Sequence, residues 1–218
     1  MSRYERKLFS TLTVILFCVF FIVRVFNLNY NSPFGDEAIY IVIGRLGLFH
    51  GDWNSLDSLT WMGGIPYLYP SLSALFYKIY GLVASRFLSV LFFMGVLYTV
   101  YKIAYLMYPG KNIKQKTSAS LLSIIILGVS SVSFYVSRMA TYDMASFFFL
   151  SLGSYFLIRS SQSRTYPGRH YFLSAVFIAL AFFFKYIIAV FIPLLVIFSF
   201  LSIRNKTWYR KKVWIMYF

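Results

Sequence analysis

The chain has 218 residues, 60% of them hydrophobic and 22% aromatic against 12% charged, and its mean hydropathy is +0.70. Such a composition excludes an ordinary water-soluble domain and gives a polytopic membrane protein. The formal net charge of +15 would suit a nucleic-acid binder, but the cations stand in clusters between apolar runs, which argues against nucleic acid and for membrane lipids as the partner.

Arg3, Arg6 and Lys7 open the chain, and residues 8–26, interrupted only at Arg24, form the first apolar stretch. The basic start and apolar body resemble a signal peptide, yet no small-residue cleavage site follows, so the segment is read as a retained anchor. Cys18 lies inside it as the single cysteine, so neither a disulfide framework nor a thiolate metal site can be built. Residues 27–86 then form a polar loop. Apolar runs return at residues 87–108, 118–137 and 144–158, the first two separated by Pro109-Gly110 and the last two by a short turn at 138–143.

Three further basic clusters fall between apolar runs: Lys111, Lys114 and Lys116; Arg159, Arg164 and Arg169; and Arg204, Lys206, Arg210, Lys211 and Lys212. Because cytoplasmic loops carry the excess of Lys and Arg, all four clusters are assigned to the cytoplasmic side of the plasma membrane, with the N-terminus inside and the 27–86 loop outside. Residues 171–202 must then cross twice. As one helix they would be about 48 Å long, too much for one crossing of a core about 30 Å thick. A hairpin of two short helices, 171–184 and 187–202, with Lys185-Tyr186 at the outer turn, satisfies the charges. Residues 213–218 begin another apolar run and are read as the start of a truncated seventh helix. The expectation is an all-α transmembrane bundle of about six membrane helices plus that truncated seventh, the chain being the N-terminal part of a larger domain.

The chain has only six carboxylates, and four of them, Asp36, Glu37, Asp52 and Asp57, share the outer loop. A fifth, Asp143, stands in a strongly apolar setting, where an ionised group is costly and points to function. Within the loop, Asp36 is placed to N-cap a helix running to about Phe49, with Ile39, Val42, Leu46 and Phe49 on one face and Glu37 pointing away from it. A second amphipathic helix is expected over residues 71–80, with Lys78 and several tyrosines suited to the headgroup zone. His50 and His170 fall on opposite sides of the membrane, so no shared metal site is expected from them.

The ordered set Asn31-Ser32-Pro33-Phe34-Gly35-Asp36-Glu37-Ala38-Ile39-Tyr40, Gly63-Gly64-Ile65-Pro66-Tyr67-Leu68-Tyr69-Pro70 and Ser137-Arg138-Met139-Ala140-Thr141-Tyr142-Asp143-Met144 resembles the integral-membrane glycosyltransferases of the protein O-mannosyltransferase and aminoarabinose transferase superfamily, of GT-C fold. Ala181-Phe182-Phe183-Phe184-Lys185 resembles the apolar Lys-containing turn of that family. The resemblance implies inverting transfer of a sugar from a polyprenyl-phosphate donor to an acceptor hydroxyl outside the membrane, with no cofactor beyond the lipid-linked sugar. A carboxylate would serve as base and cations would receive the departing phosphate.

On that basis Asp36, Glu37 and Asp143 are the candidate catalytic residues, and Arg138 and Lys185 the candidate carrier-phosphate ligands. Bland readings stand beside them: Asp36 as a helix cap, Asp143 as the ion-pair partner of Arg138, and the two cations as headgroup-facing side chains. A transporter or channel subunit is the rival class, since intramembrane charges also mark substrate paths, and an inactive remnant of a glycosyltransferase is a third. The absence of an evident internal repeat and the gathering of charge at one face favour the enzyme.

Overall fold

A computed structural model of the protein describes residues 3–54, 57–65, 67–110, 112–162 and 167–203, and among these every regular element is helical. Pro66, Lys111, Arg164, the cluster Arg204 to Lys212 and the expected seventh helix at 213–218 lie outside the described residues. The first long helix, α1 (Arg3–Val25), is the first apolar run, and most of its surface is left to lipid. Its last turns are held inside through Phe20 and Arg24, while Phe9, Leu16 and Phe17 pack half-buried against the same core.

Helix α2 (Gly35–His50) lies in the outer loop and packs on α4 (Leu68–Met107). Tyr40, Ile41, Gly44 and Gly47 are buried, whereas Ile39, Val42 and Phe49 are exposed and form the apolar face expected to rest on the membrane. Gly44 makes the contact possible, because a Cβ there would stand 1.9 Å from the Pro70 carbonyl oxygen. The helix stops at Gly51, whose φ of 72° suits the left-handed cap, with its N–H on the Gly47 carbonyl. A single turn, α3 (Ser58–Trp61), follows.

The expected amphipathic helix at 71–80 is the first arm of α4. Tyr80 leaves helical geometry and Gly81 takes φ 59°, ψ −149°, a region open essentially to glycine, so the helix bends there and its second arm becomes the central buried helix. Leu88, Val90, Phe93, Val96 and Leu97 are buried along that arm. It packs on α7 (Tyr142–Gln162) through a hydroxyl bridge between Thr99 and Ser151 at 2.6 Å and the contact of Gly95 with the Phe148 ring.

One expectation needs correction. Residues 118–137 are not one continuous helix: α5 (Ile113–Val129) ends at Ser130, and α6 (Ser131–Ser137) leaves it at 67°. Among the described residues two helices, α1 from Lys7 and α4, are long and apolar enough to cross a membrane, or three if the bent pair counts as one, so a count of about six is not confirmed. The chain breaks at Ser130 and again at Lys185, where α8 (Pro167–Phe184) gives way to a 3-10 turn (Tyr186–Phe191) and α9 (Ile192–Ile203), leaving shorter apolar pieces. The reversal itself is present: Leu195 and Phe198 of α9 pack back against the cluster of Leu157 in α7 and Tyr171 near the start of α8.

Charge collects at two ends of the helices. At one end Lys114 meets Glu5 at 3.1 Å and the Gln162 amide donates to the Leu106 carbonyl. At the other stand Glu37, Arg86, Arg138, Asp143 and Lys185, and the site is built there.

Candidate functional site

Glu37 is fully buried and accepts four hydrogen bonds. Arg86 grips it bidentately, Nε to Oε1 at 2.8 Å and Nη2 to Oε2 at 2.7 Å. The Ala140 amide donates to Oε1 at 2.7 Å and the Phe34 amide to Oε2 at 2.9 Å. Burial opposes the charge on this carboxyl, yet the Arg86 bonds and the two amides outweigh it and hold its pKa below the ordinary 4.5. The remaining donors of Arg86 reach Leu28 O at 2.7 Å and Asn31 Oδ1 at 2.8 Å, with the guanidinium 4.4 Å from the Tyr30 ring. One pair thus fastens the 28–34 segment, α2, α4 and the turn before α7 to each other.

The N-cap of α2 is Phe34, not Asp36 as expected; Glu37, at the third helical position, takes the reach-back role of a capping box. Asp36 is left exposed in the first helical turn, where the helix dipole favours an anion. One turn on, the Tyr40 ring lies 4.8 Å from that of Tyr142 and 5.9 Å from that of Tyr69. Burial, then the hydrogen bond to Tyr142 and the nearby charges of Asp36 and Asp143, push the Tyr40 phenol well above its ordinary range. Tyr40 is therefore a neutral hydroxyl lying within the field of both carboxylates.

Asp143 pairs with Lys185, and the Arg138 pairing expected as its bland alternative is not formed. Lys185 also stands 5.1 Å from the Tyr142 ring. Its backbone is extended, at φ −151° and ψ 114°, and the Gly63-Gly64 segment holds the turn on which it sits. The Tyr186 amide donates to Gly63 O at 2.6 Å and the Ile65 amide to Phe183 O at 2.8 Å. A Cβ on Gly64 would lie 2.1 Å from Phe184 O, so glycine is required by close backbone approach.

Arg138 lies apart from this group. Its Nη2 donates to the Phe26 and Asn27 carbonyls at 2.8 Å each, at the end of α1, and its guanidinium is 4.9 Å from the rings of Tyr30 and Phe134. Beside the Asp143–Lys185 pair opens an apolar groove of about 340 Å³, walled by Ser130, Ser133 and Val136 at the α5–α6 bend, Phe147 and Leu150 of α7, and Ile188. Among the described residues no three metal-ligating side chains gather.

The sequence model of the dolichyl-phosphate-mannose-protein mannosyltransferase family matches residues 65–218. The chain belongs to this family. No curated protein and no solved structure matches it. Family membership makes the protein a mannosyltransferase-like membrane glycosyltransferase. The matched region contains Arg86, Arg138, Asp143 and Lys185 but begins after Asp36 and Glu37. The acidic pair is tied to the mannosyltransferase region by contact instead, through Glu37 to Arg86 and Ala140 and through Tyr40 to Tyr142. Arg86, Tyr40, Tyr142 and Arg24 were not singled out in the sequence. Arg86 and Arg24 carried a signal, each being a lone cation bordering an apolar run, whereas nothing local distinguishes Tyr40 among 19 tyrosines.

Proposed function

We propose that this mannosyltransferase-like protein moves a sugar from a polyprenyl-phosphate carrier to an acceptor hydroxyl at the outer face of the cell membrane, with Asp36 as the general base. One observation carries the assignment: of the two adjacent carboxylates, Glu37 has every lone-pair direction taken, while Asp36 is exposed beside the Tyr40–Tyr142–Asp143–Lys185 group. In the reaction Asp36 removes the acceptor hydroxyl proton as the oxygen attacks the anomeric carbon. The bond from that carbon to the carrier phosphate breaks, and the electron pair leaves with the phosphate. Lys185 is the cation placed to receive it, with Asp143 holding the ammonium in position, and the groove beside the pair gives the isoprenoid chain a path away from the polar end. Arg138, which lies apart from that group with one nitrogen committed to the end of α1, is the second proposed phosphate cation. Glu37 contributes by position, fixing the first turn of α2 and hence Asp36.

The test is Asp36→Asn, assayed for sugar transfer from a polyprenyl-phosphate-mannose donor. The amide preserves shape and removes the base, so transfer falls by about 10²–10⁴-fold. Because Asp36 does not cap α2, both Asp36→Asn and Asp36→Ala express normally and lose only the first-turn charge effect, about 0.3–1 kcal/mol, equally in the two variants. Transfer by Asp36→Asn within a few-fold of wild type overturns the assignment.

A further inference from the structure

Arg24 is the cation that the proposed reaction does not use. It is fully buried in α1, an apolar helix, and among the described residues no carboxylate lies within ion-pair distance of it. An arginine stays charged, and a charge inside a membrane span is costly enough to mark function by default. Apart from Nη1, which donates to Phe20 O of its own helix, its donors reach α5 and α6 on either side of their bend. Nη2 donates to Gly128 O at 2.8 Å and to Ser133 Oγ at 3.3 Å, and Nε donates to Ser137 Oγ at 3.1 Å. The guanidinium is stacked 3.8 Å from the Phe93 ring of the central helix.

The last carbonyls of a helix have no partner within it, and a helix end inside a membrane cannot turn to water for one. Arg24 supplies that partner at Gly128, while Ser133 Oγ donates to Leu127 O beside it. Gly128 allows the approach, since a Cβ there would strike the Phe20 ring at 2.3 Å. Removing the guanidinium leaves α5 and α6 free to realign as one straighter helix, the usual way for a chain to satisfy its own carbonyls in lipid. The bend is also the wall of the groove beside Asp143 and Lys185, through Ser130, Ser133 and Val136.

We infer that Arg24 is a positioning residue for the lipid carrier: it holds the α5–α6 bend and so keeps open the groove in which the carrier's hydrocarbon chain lies. This rests on the proposed use of a polyprenyl-phosphate donor. Arg24 acts on the chain, not on the phosphate, so its removal weakens carriers in proportion to their length.

The experiment compares binding of geranyl phosphate and undecaprenyl phosphate to wild type, Arg24→Met and Arg24→Lys in lipid nanodiscs. Methionine keeps an apolar contact on Phe93 and loses every donor; lysine keeps the charge and a bond to Gly128 but not the fork. Undecaprenyl phosphate binds Arg24→Met at least about tenfold more weakly, the affinity carried by roughly two buried methylene groups, while geranyl phosphate binds as to wild type and Arg24→Lys is intermediate. Nitroxide labels at positions 122 and 135, both exposed in wild type, report the bend in a Cys18→Ser background, and their separation lengthens or broadens in Arg24→Met.

Equal weakening of both carriers, equal binding of both, or an unchanged label separation overturns the inference. Failure of wild type to bind either carrier overturns the carrier reading itself, and the inference with it. Wild-type binding with no chain-length effect removes the role of Arg24 alone.

Discussion

Asp36 and Glu37 are adjacent in sequence and opposite in environment. An α-helix turns about 100° per residue, so neighbours at the edge of the buried face point in different directions. Here Glu37 turns inward to Arg86 and Asp36 outward. Breaking a buried pair by removing one partner typically costs about 3–5 kcal/mol, because the other charge is left uncompensated. Glu37→Gln is therefore expected to lose stability at neutral pH, near the low end of that range because the amide keeps the volume and one acceptor. The pH dependence has a definite sign. Glu37 has a folded pKa below its ordinary 4.5, so the stability it contributes is complete above 4.5 and is lost as the pH falls from there through the lowered folded value. Thermal melts from pH 7 downward should show wild type and Glu37→Gln separated by a constant amount until about pH 4.5 and converging below it. A gap that stays constant through the acid range would mean that Glu37 is not the ionised partner of Arg86.

At the scale of elements, the site depends on three interruptions of helix. Gly81 bends α4 so that its first arm lies with α2; Ser130 breaks α5 from α6; and Lys185 ends α8. The last is braced by the Gly63-Gly64-Ile65 segment, in which Gly63 O accepts from the Tyr186 amide and the Ile65 amide donates to Phe183 O. Gly64→Ala places a carbon 2.1 Å from Phe184 O, a contact that backbone movement alone can relieve. Overpacking of this kind costs about 1–3 kcal/mol, and the movement carries Lys185 with it. The expected result is a lowered melting temperature together with weaker binding of polyprenyl phosphate. Gly35→Ala, with nothing within 4 Å of its added carbon, is the neutral control. Wild-type carrier binding in Gly64→Ala would show that the segment does not set the position of Lys185.

For the molecule as a whole, the charged groups define two faces, and orientation is the next measurement. Single cysteines in a Cys18→Ser background at positions 36 and 185 are expected to react with an impermeant reagent in intact cells, and one at 114 only after permeabilisation. Reaction at 114 in intact cells would invert the topology. The helical class, the membrane setting, the amphipathic loop helix and the reversal at Lys185 were all legible in the sequence, because burial in lipid imposes long apolar runs and charge asymmetry that survive without any tertiary detail. The family was legible in the order of a few short motifs, and its sequence model matches from residue 65 onward. What the sequence left open was which partner each charge takes. Asp143 lay five residues from Arg138 and forty-two from Lys185, and it pairs with the distant one. Arg24 read as a harmless interruption near the end of a span, and it holds a bend more than a hundred residues away. Hydropathy records how much of a segment meets lipid. Only the packed helices decide which buried donor meets which acceptor, because that depends on distances between segments that no local pattern encodes.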